Sequence, residues 1–320
     1  MKLLLSCIST QHSSLKKHWK ETREQTSCPL TVIGSMRKPD GDPGGLLCLI
    51  DDLGASRKEL ALSLAAGITP YDQEHMLVTA FNGIHRVGID LESIHYDAIS
   101  SPLFNALHSL SRTRSGYLVA STGLDLLIEF SPAGDVLWTW WATDHGFTHT
   151  PTGEIRELDK GADHRDIKYG TLQQTTHVNS VAELPDGRIL ATLFHQGTVI
   201  AIDRETGRWE TLLEGLDHPH SVRILDEQYF TVADTVHGKA LLAQFKPDGK
   251  SVSVVEEVDA ETNWLQDCSY DPHHNTWVLV DGKNTRVTLL PGRANGETAR
   301  HSITQFNFDP EWRLYEAYTF

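Results

Sequence analysis

The chain has no long hydrophobic run, few cysteines and no basic cluster, and each lack removes a class of protein. No stretch approaches the ~20 apolar residues of a membrane-spanning helix, so no membrane partner is expected. The start, MKLLLSC, holds a run of three leucines. A secretory signal needs an apolar core of roughly 7–15 residues, so a first β-strand is the expectation there. The four cysteines (Cys7, Cys28, Cys48, Cys268) form no C-x-x-C pair and no framework spacing. They read as free thiols, which predicts a reducing, cytoplasmic location. The formal net charge is −15. Without a basic patch, that argues against nucleic acid or an anionic membrane surface as partner. It leaves room for a small anionic substrate held by a few local groups. There is no G-x-S-x-G elbow and no phosphate-binding P-loop. The glycine-rich run Asp40–Gly45 opens no helix of a βαβ unit and reads as a turn.

What the chain does have is a repeat. Stretches beginning at His108 (HSLSRTRSGYLVAS), Asn179 (NSVAELPDGRILAT), His220 (HSVRILDEQYFTVAD) and Asp267 (DCSYDPHHNTWVLVD) share one pattern. A polar residue opens a short apolar strand, a turn follows at Gly116, Gly187, Gln228 or Asn275, and a second strand succeeds it. Each unit continues with two further short β-branched runs between Gly, Pro and Asp turns. Self-similarity at about 40 residues with four strands per unit is the signature of a β-propeller. A weaker unit (GITPYD, HMLVTAF, IHRVGID, SIHYDAI) has Gly67 at the ring position. Residues 1–60 hold KLLLSCIS, PLTVIGS and GLLCLIDD, enough for one more, with Ser13–Gln25 helical or irregular. The expected fold is all-β, a single domain over residues 1–320 forming a six-bladed propeller, with five blades as the alternative. The tail WRLYEAYTF would close the ring and leave no unpaired edge.

Innermost strands converge on the propeller axis, so His108, Asn179, His220 and Asp267 form a predicted ring. The ring positions run 67, 108, 179, 220 and 267, and the step from 108 to 179 is roughly 30 residues longer than expected. The excess, residues 144–176, is predicted to form a lid or wall over the channel mouth, because long insertions of this kind are usually functional. It brings His145, His149, His164, Arg165 and Tyr169 as candidate substrate-binding residues. Blade-entry segments add His177, His218 and Trp264 on the same face, and loops between second and third strands add His195, His237 and Lys283.

Two family resemblances follow from these residues. GDVLWTWW, THVNSVAELPDGRILATL, AIDRETGRW and HPHSVRILDEQYFTVADT, within about residues 105–240, resemble arylsulfate sulfotransferases. The resemblance implies active-site roles for His177 and Asn179, which match an H-x-N-S motif, while Trp138 and Trp140 match its tryptophans. It also implies a sulfated histidine at a position such as His220 or His108. Where that family carries an arginine after the motif, this chain has Leu193-Phe194-His195. The inner strands are also similar to those of gluconolactonase/regucalcin-like six-bladed propellers. That resemblance implies metal-ligand positions at Asn179 and Asp267.

Two imidazoles, one carboxylate and one amide suit Zn, Fe, Mn or Ni better than Ca, which prefers oxygen. A divalent metal held by His108, Asn179, His220 and Asp267 is therefore expected, with His177, His195 or His220 moving the proton. The functional expectation is an enzyme acting on a small organic molecule by metal-assisted hydrolysis or related acid/base chemistry. The alternatives are a metal-free transferase with a histidine nucleophile, and a non-catalytic propeller that binds a ligand or protein. Trp138, Trp140 and Trp141 lie on an outer strand and are expected to pack between blades.

Overall fold

A computed structural model describes residues 1–25, 32–51, 54, 56–294, 297–298 and 303–320. Among them, six four-stranded antiparallel sheets follow one another around an axis, which realises six blades and excludes five. The innermost strands are Arg313–Thr319, Ile68–Pro70, Leu107–Arg112, Val178–Glu183, His220–Ile224 and Leu265–Asp271, and each touches the next around a closed ring. Blade 1 combines that C-terminal inner strand with Leu3–Ser9, Leu46–Asp51 and Ser56–Ala61. The predicted closure by the tail is thus present, with Leu5 paired to Ala317 and the Glu316 amide donating to Ser6 Oγ at 3.1 Å.

Burial explains the strand sequences. Second and third strands such as Tyr117–Ser121 and Leu126–Phe130 are buried at every residue. They lie between neighbouring blades and so read as continuous apolar runs rather than alternating ones. Outer strands reach solvent, as Val136–Trp141 does at its first residues. Trp140 is fully buried between blades, and its indole N–H donates to Gly207 O at 3.0 Å, as expected for an inter-blade tryptophan. Cys7, Cys48 and Cys268 are free, buried thiols, and Cys28 lies outside the described residues.

Two features differ from expectation. No strand forms from the described part of PLTVIGS. The helix His12–Glu24, inserted between the first two strands of blade 1, leaves its sheet and lies over the axial opening. It has little apolar surface, with only His12 and Leu15 buried, so it does not pack as a core helix.

Of the insertion 144–176, Thr171 lines the axial cavity. The insertion's first part folds outward: His145 stacks on Trp140 at 5.1 Å and Phe147 packs against Trp209. Its centre is anchored by the buried ion pair Arg156–Asp125 at 2.7 Å. Its end pairs with the segment after the helix, where Arg37 bridges Tyr169 and the Leu172 amide donates to Ser35 O. The ring of inner strands is also not regular. Register breaks where inner and second strands pair at Leu107/Leu110, Val178/Ser180, His220/Arg223 and Leu265/Asp267. A bulge at this position in four successive blades re-aims the ring side chains.

Candidate functional site

The predicted ring lies on two levels. At the end where the inner strands begin, a cavity of about 820 Å³ opens on the axis. His108, His177 and His220 lie on its floor side, and the helix His12–Glu24 with residues 33–38 roofs it. Further along the axis lies a separate cavity of about 280 Å³, which takes Asn179 and Asp267. His220 touches both spaces.

The expected metal ligands therefore do not converge, and among the described residues no three His, Cys, Asp or Glu side chains stand close enough together to hold one metal ion. Asp267 is committed elsewhere. Its carboxylate accepts from Arg223 at 2.9 Å and 3.1 Å, from the Ala317 amide at 2.8 Å and from Ser221 Oγ. Asn179 Oδ1 accepts from Thr192 Oγ1 at 2.7 Å. A divalent ion on His108, Asn179, His220 and Asp267 does not fit this arrangement.

What the structure brings together is three imidazoles. Ala106, His177 and His218 each stand two residues before a ring position and each adopts a left-handed backbone, with φ of 45°, 47° and 58°. Non-glycine residues avoid that region, so its recurrence marks a position held by its surroundings. His108 Nδ1 donates to Ala106 O at 2.8 Å, and His220 Nδ1 donates to His218 O at 3.0 Å. His177 Nδ1 pairs with Gln174 Oε1. A carbonyl can only accept, so Nδ1 carries the proton and the lone pair is left on Nε2. His108 and His177 meet edge to face at 5.2 Å, and Phe194 packs against His177 at 4.7 Å and His220 at 5.5 Å.

These imidazoles are neutral at physiological pH. Burial pushes His108 and His220 down to about 3, aided by Lys38 near the first and by His108 near the second. His177 is held well below its ordinary value by burial and by His108, His195, Lys38 and His220. Removing charged groups from water disfavours the protonated ring, and neighbouring cations add to the effect.

Sequence reasoning named Lys283 but missed two other cations here, Lys38 and Arg313. Lys38 keeps some solvent contact, but its ammonium sits in crowded surroundings, and burial draws it down to about 8. Arg313, at the start of the closure strand, is buried and held down to about 10 by that burial. Its guanidinium lies over Trp264 at 5.0 Å and donates to Gly282 O and Gln266 Oε1. Tyr315 completes the floor, 5.5 Å from His108. The tail had been recognised as a closure strand, and reading its own ring position would have found both residues.

The other predicted substrate contacts divide. Trp264 and Lys283 line the cavity. His195 stands behind His177 at 5.9 Å, and its Nε2 is used by Thr171 O. His218 pairs with Asp217 and packs on Phe194 at 4.3 Å rather than lining the cavity. His237 turns to Asp234 at 2.8 Å, and its side chain is 54% exposed. His145, His149, His164, Arg165 and Tyr169 stay within or beside the insertion. His149 is exposed, His164 bonds Asp159 O and the Tyr169 hydroxyl, and Arg165 pairs with Asp163. Thr171 is the insertion's contribution to the cavity wall.

Asp125 was also missed. It accepts five hydrogen bonds, from Arg156, the amides of Thr175, Thr176 and His177, and Thr176 Oγ1. It thereby fixes the entry segment that presents His177.

No protein-family model and no curated protein matches the chain. Solved structures do. A protein of Lactobacillus plantarum is 13% identical with a TM-score of 0.55, over 98% of this chain and 99% of that one. A 6-phosphogluconolactonase-like protein of Bacteroides uniformis is 10% identical with a TM-score of 0.54, over 99% of each chain. The periplasmic gluconolactonase of Pseudomonas aeruginosa is 10% identical with a TM-score of 0.51, over 88% of this chain and 81% of that one. These likenesses establish the class of fold. The chain is a six-bladed β-propeller, and its axial cavity is lined by neutral histidines beneath an N-terminal helix.

Proposed function

We propose that the roofed cavity is the active site of an enzyme acting on a small organic molecule by acid/base chemistry at neutral imidazoles. Hydrolysis is the reaction class. The observation that carries this reading is the common state of His108, His177 and His220: Nδ1 is tied to an acceptor, the ring is uncharged, and Nε2 keeps its lone pair. Such a nitrogen can take a proton from water or from a substrate hydroxyl. His177 is the general base in this reading, because Asp125 fixes its backbone and Gln174 holds its Nδ1. Lys38, charged near neutral pH yet close to its pKa, would neutralise developing negative charge. The gluconolactonase of similar fold shows that the architecture accommodates a lactone-directed enzyme, which is support from the fold alone.

The residues offer a second reading, group transfer through a histidine nucleophile. His220 favours it, since two acceptors, His218 O and Thr235 Oγ1 at 2.8 Å, orient its ring.

The test is a turnover screen of lactones, carboxylic esters, and sulfate and phosphate esters. His177→Ala should lower turnover by about 100-fold or more, the usual contribution of a general base. Full activity in His177→Ala would overturn the first reading. A labelled covalent protein adduct lost in His220→Ala would replace it with the second.

A further inference from the structure

The molecule carries a net charge of −15, yet its axial cavity is cationic. Lys16, Lys38, Lys283 and Arg313 line it, and Glu24 is the carboxylate among its lining residues. Glu24 lies at the far end of the helix, 3.8 Å from Lys20. Among the described residues, none of Lys16, Lys38, Lys283 and Arg313 has a carboxylate within ion-pair distance. In a chain so rich in acid, cations without a direct carboxylate partner collected around one concave space point to an anionic occupant.

His12 is a second and independent sign. It lines the same cavity, is 2% exposed, and neither ring nitrogen has a hydrogen-bond partner. A buried polar group without a partner is costly unless something else supplies one. Arg313 and Lys16 are its charged neighbours in the fold, with Glu311 behind the helix start. His12 therefore sits at one cationic pole, and Lys38 forms another above His108 and His177.

The walls between these poles are aromatic. Trp264, Phe194 and Tyr315 line the lower side, and Trp19 of the helix faces them. A charged head with a flat apolar body matches this lining. Two of the five N–H groups of Arg313 donate to Gly282 O and Gln266 Oε1, which leaves three for a ligand. A carboxylate, with one charge and two oxygens, fits the donors that remain.

We propose that the cavity binds an aromatic carboxylate, its head held beneath the N-terminal helix by Arg313, His12 and Lys16 or by Lys38, and its ring between Trp19 and Trp264. This assignment of ligand class rests on the reading of the cavity as an active site. It adds a positioning subsite beside the reacting imidazoles.

Calorimetric titration of the full chain with 2-naphthoate tests it, with 2-naphthamide as the neutral isostere and inorganic phosphate as the bare oxyanion. Naphthoate should bind, and naphthamide should bind at least about 10-fold more weakly, the factor of one lost charged contact. Lys38→Met and Arg313→Met should each be measured, and at least one should lose about 10-fold. Lys38→Arg and Arg313→Lys, which keep the charge, guard against misfolding by retaining most of the affinity. Equal binding of naphthoate and naphthamide would overturn the proposal. So would unchanged affinity in both methionine variants, or phosphate binding more tightly than naphthoate. His177→Ala separates the two claims: naphthoate binding intact but turnover unaffected would sink only the catalytic reading. Turnover lost with no naphthoate binding in any form would sink only the ligand assignment.

Discussion

Asp125 shows how much a single side chain does here. It is fully buried, has φ of 52°, and holds Arg156 and the segment Thr175–His177 at once. Asp125→Ala leaves the Arg156 guanidinium buried without its carboxylate. Breaking a buried ion pair from one side costs about 3–5 kcal/mol, so urea unfolding should show a loss of that size together with loss of turnover. An unchanged midpoint would mean that Arg156 finds water instead. Glu316 makes a different test. Arg223 serves two carboxylates, and the close contact at 2.9 Å belongs to Asp267, leaving Glu316 at 3.4 Å. Burial then raises Glu316 to about 7 against the partial opposition of Arg223. A raised carboxyl pKa gives stability that is complete below the ordinary value of about 4.5. That stability fades as pH rises through about 7. Glu316→Gln should remove this fading, so wild type and variant should diverge in thermal midpoint between pH 4.5 and pH 7.5. Parallel curves would contradict the raised pKa. At this scale, the sequence marked His108 and His220 through the repeat and His177 through its place at a blade entry. It placed Asp267 beside them, whereas the register break Leu265/Asp267, invisible in an apolar/polar pattern, leaves Gln266 at the upper cavity, with Asn179 and Asp267 on the lower one. Lys38 was out of reach because it lies in an irregular segment with no periodicity to place it.

Among the elements, the N-terminal helix replaces the insertion as the roof. The helix reaches the cavity with His12, Lys16, Trp19 and Lys20, residues that share one face at helical spacing. Its start is tied to the closing segment, where the Ser13 amide donates to Glu311 Oε2 at 3.0 Å and the His12 amide donates to Glu311 O at 2.9 Å. Glu311 near the helix N-terminus also complements the helix dipole. Glu311→Ala should raise hydrogen exchange in residues 12–24 while the blades keep their protection, because the helix adds little to the core. Exchange rising equally in the blades would show that the helix is structural to them. The helix was legible as a break between strands, but its placement was not. A charged stripe without an apolar face gives no sequence cue to the surface it covers. The insertion misled because its length suggested a lid, whereas Arg156, His164 and Phe147 bind it to itself and to the blades that span 107–141 and 178–213.

The whole molecule follows from the repeat and from closure. The six blades were legible because second and third strands buried on both faces must be apolar, and because turns fall at regular intervals. The tail Arg313–Thr319 supplies both an inner strand and two cavity residues, so fold and site share it. A chain ending at residue 312 should lose cooperative thermal unfolding and naphthoate binding together. A truncated chain that still unfolds in one sharp transition would show that the ring closes without its C-terminal strand. The electrostatic picture is also global: burial against the axis keeps a cluster of histidines neutral inside a molecule of net charge −15. The most direct test of that claim is a pH titration of the protein's imidazole nitrogens by ¹⁵N NMR, with assignments from single His→Gln variants. His108, His177 and His220 should show a protonated Nδ1 and a bare Nε2, and should remain neutral down to pH 5. Imidazolium signals from these three at pH 6.5, or protons on Nε2, would contradict the account.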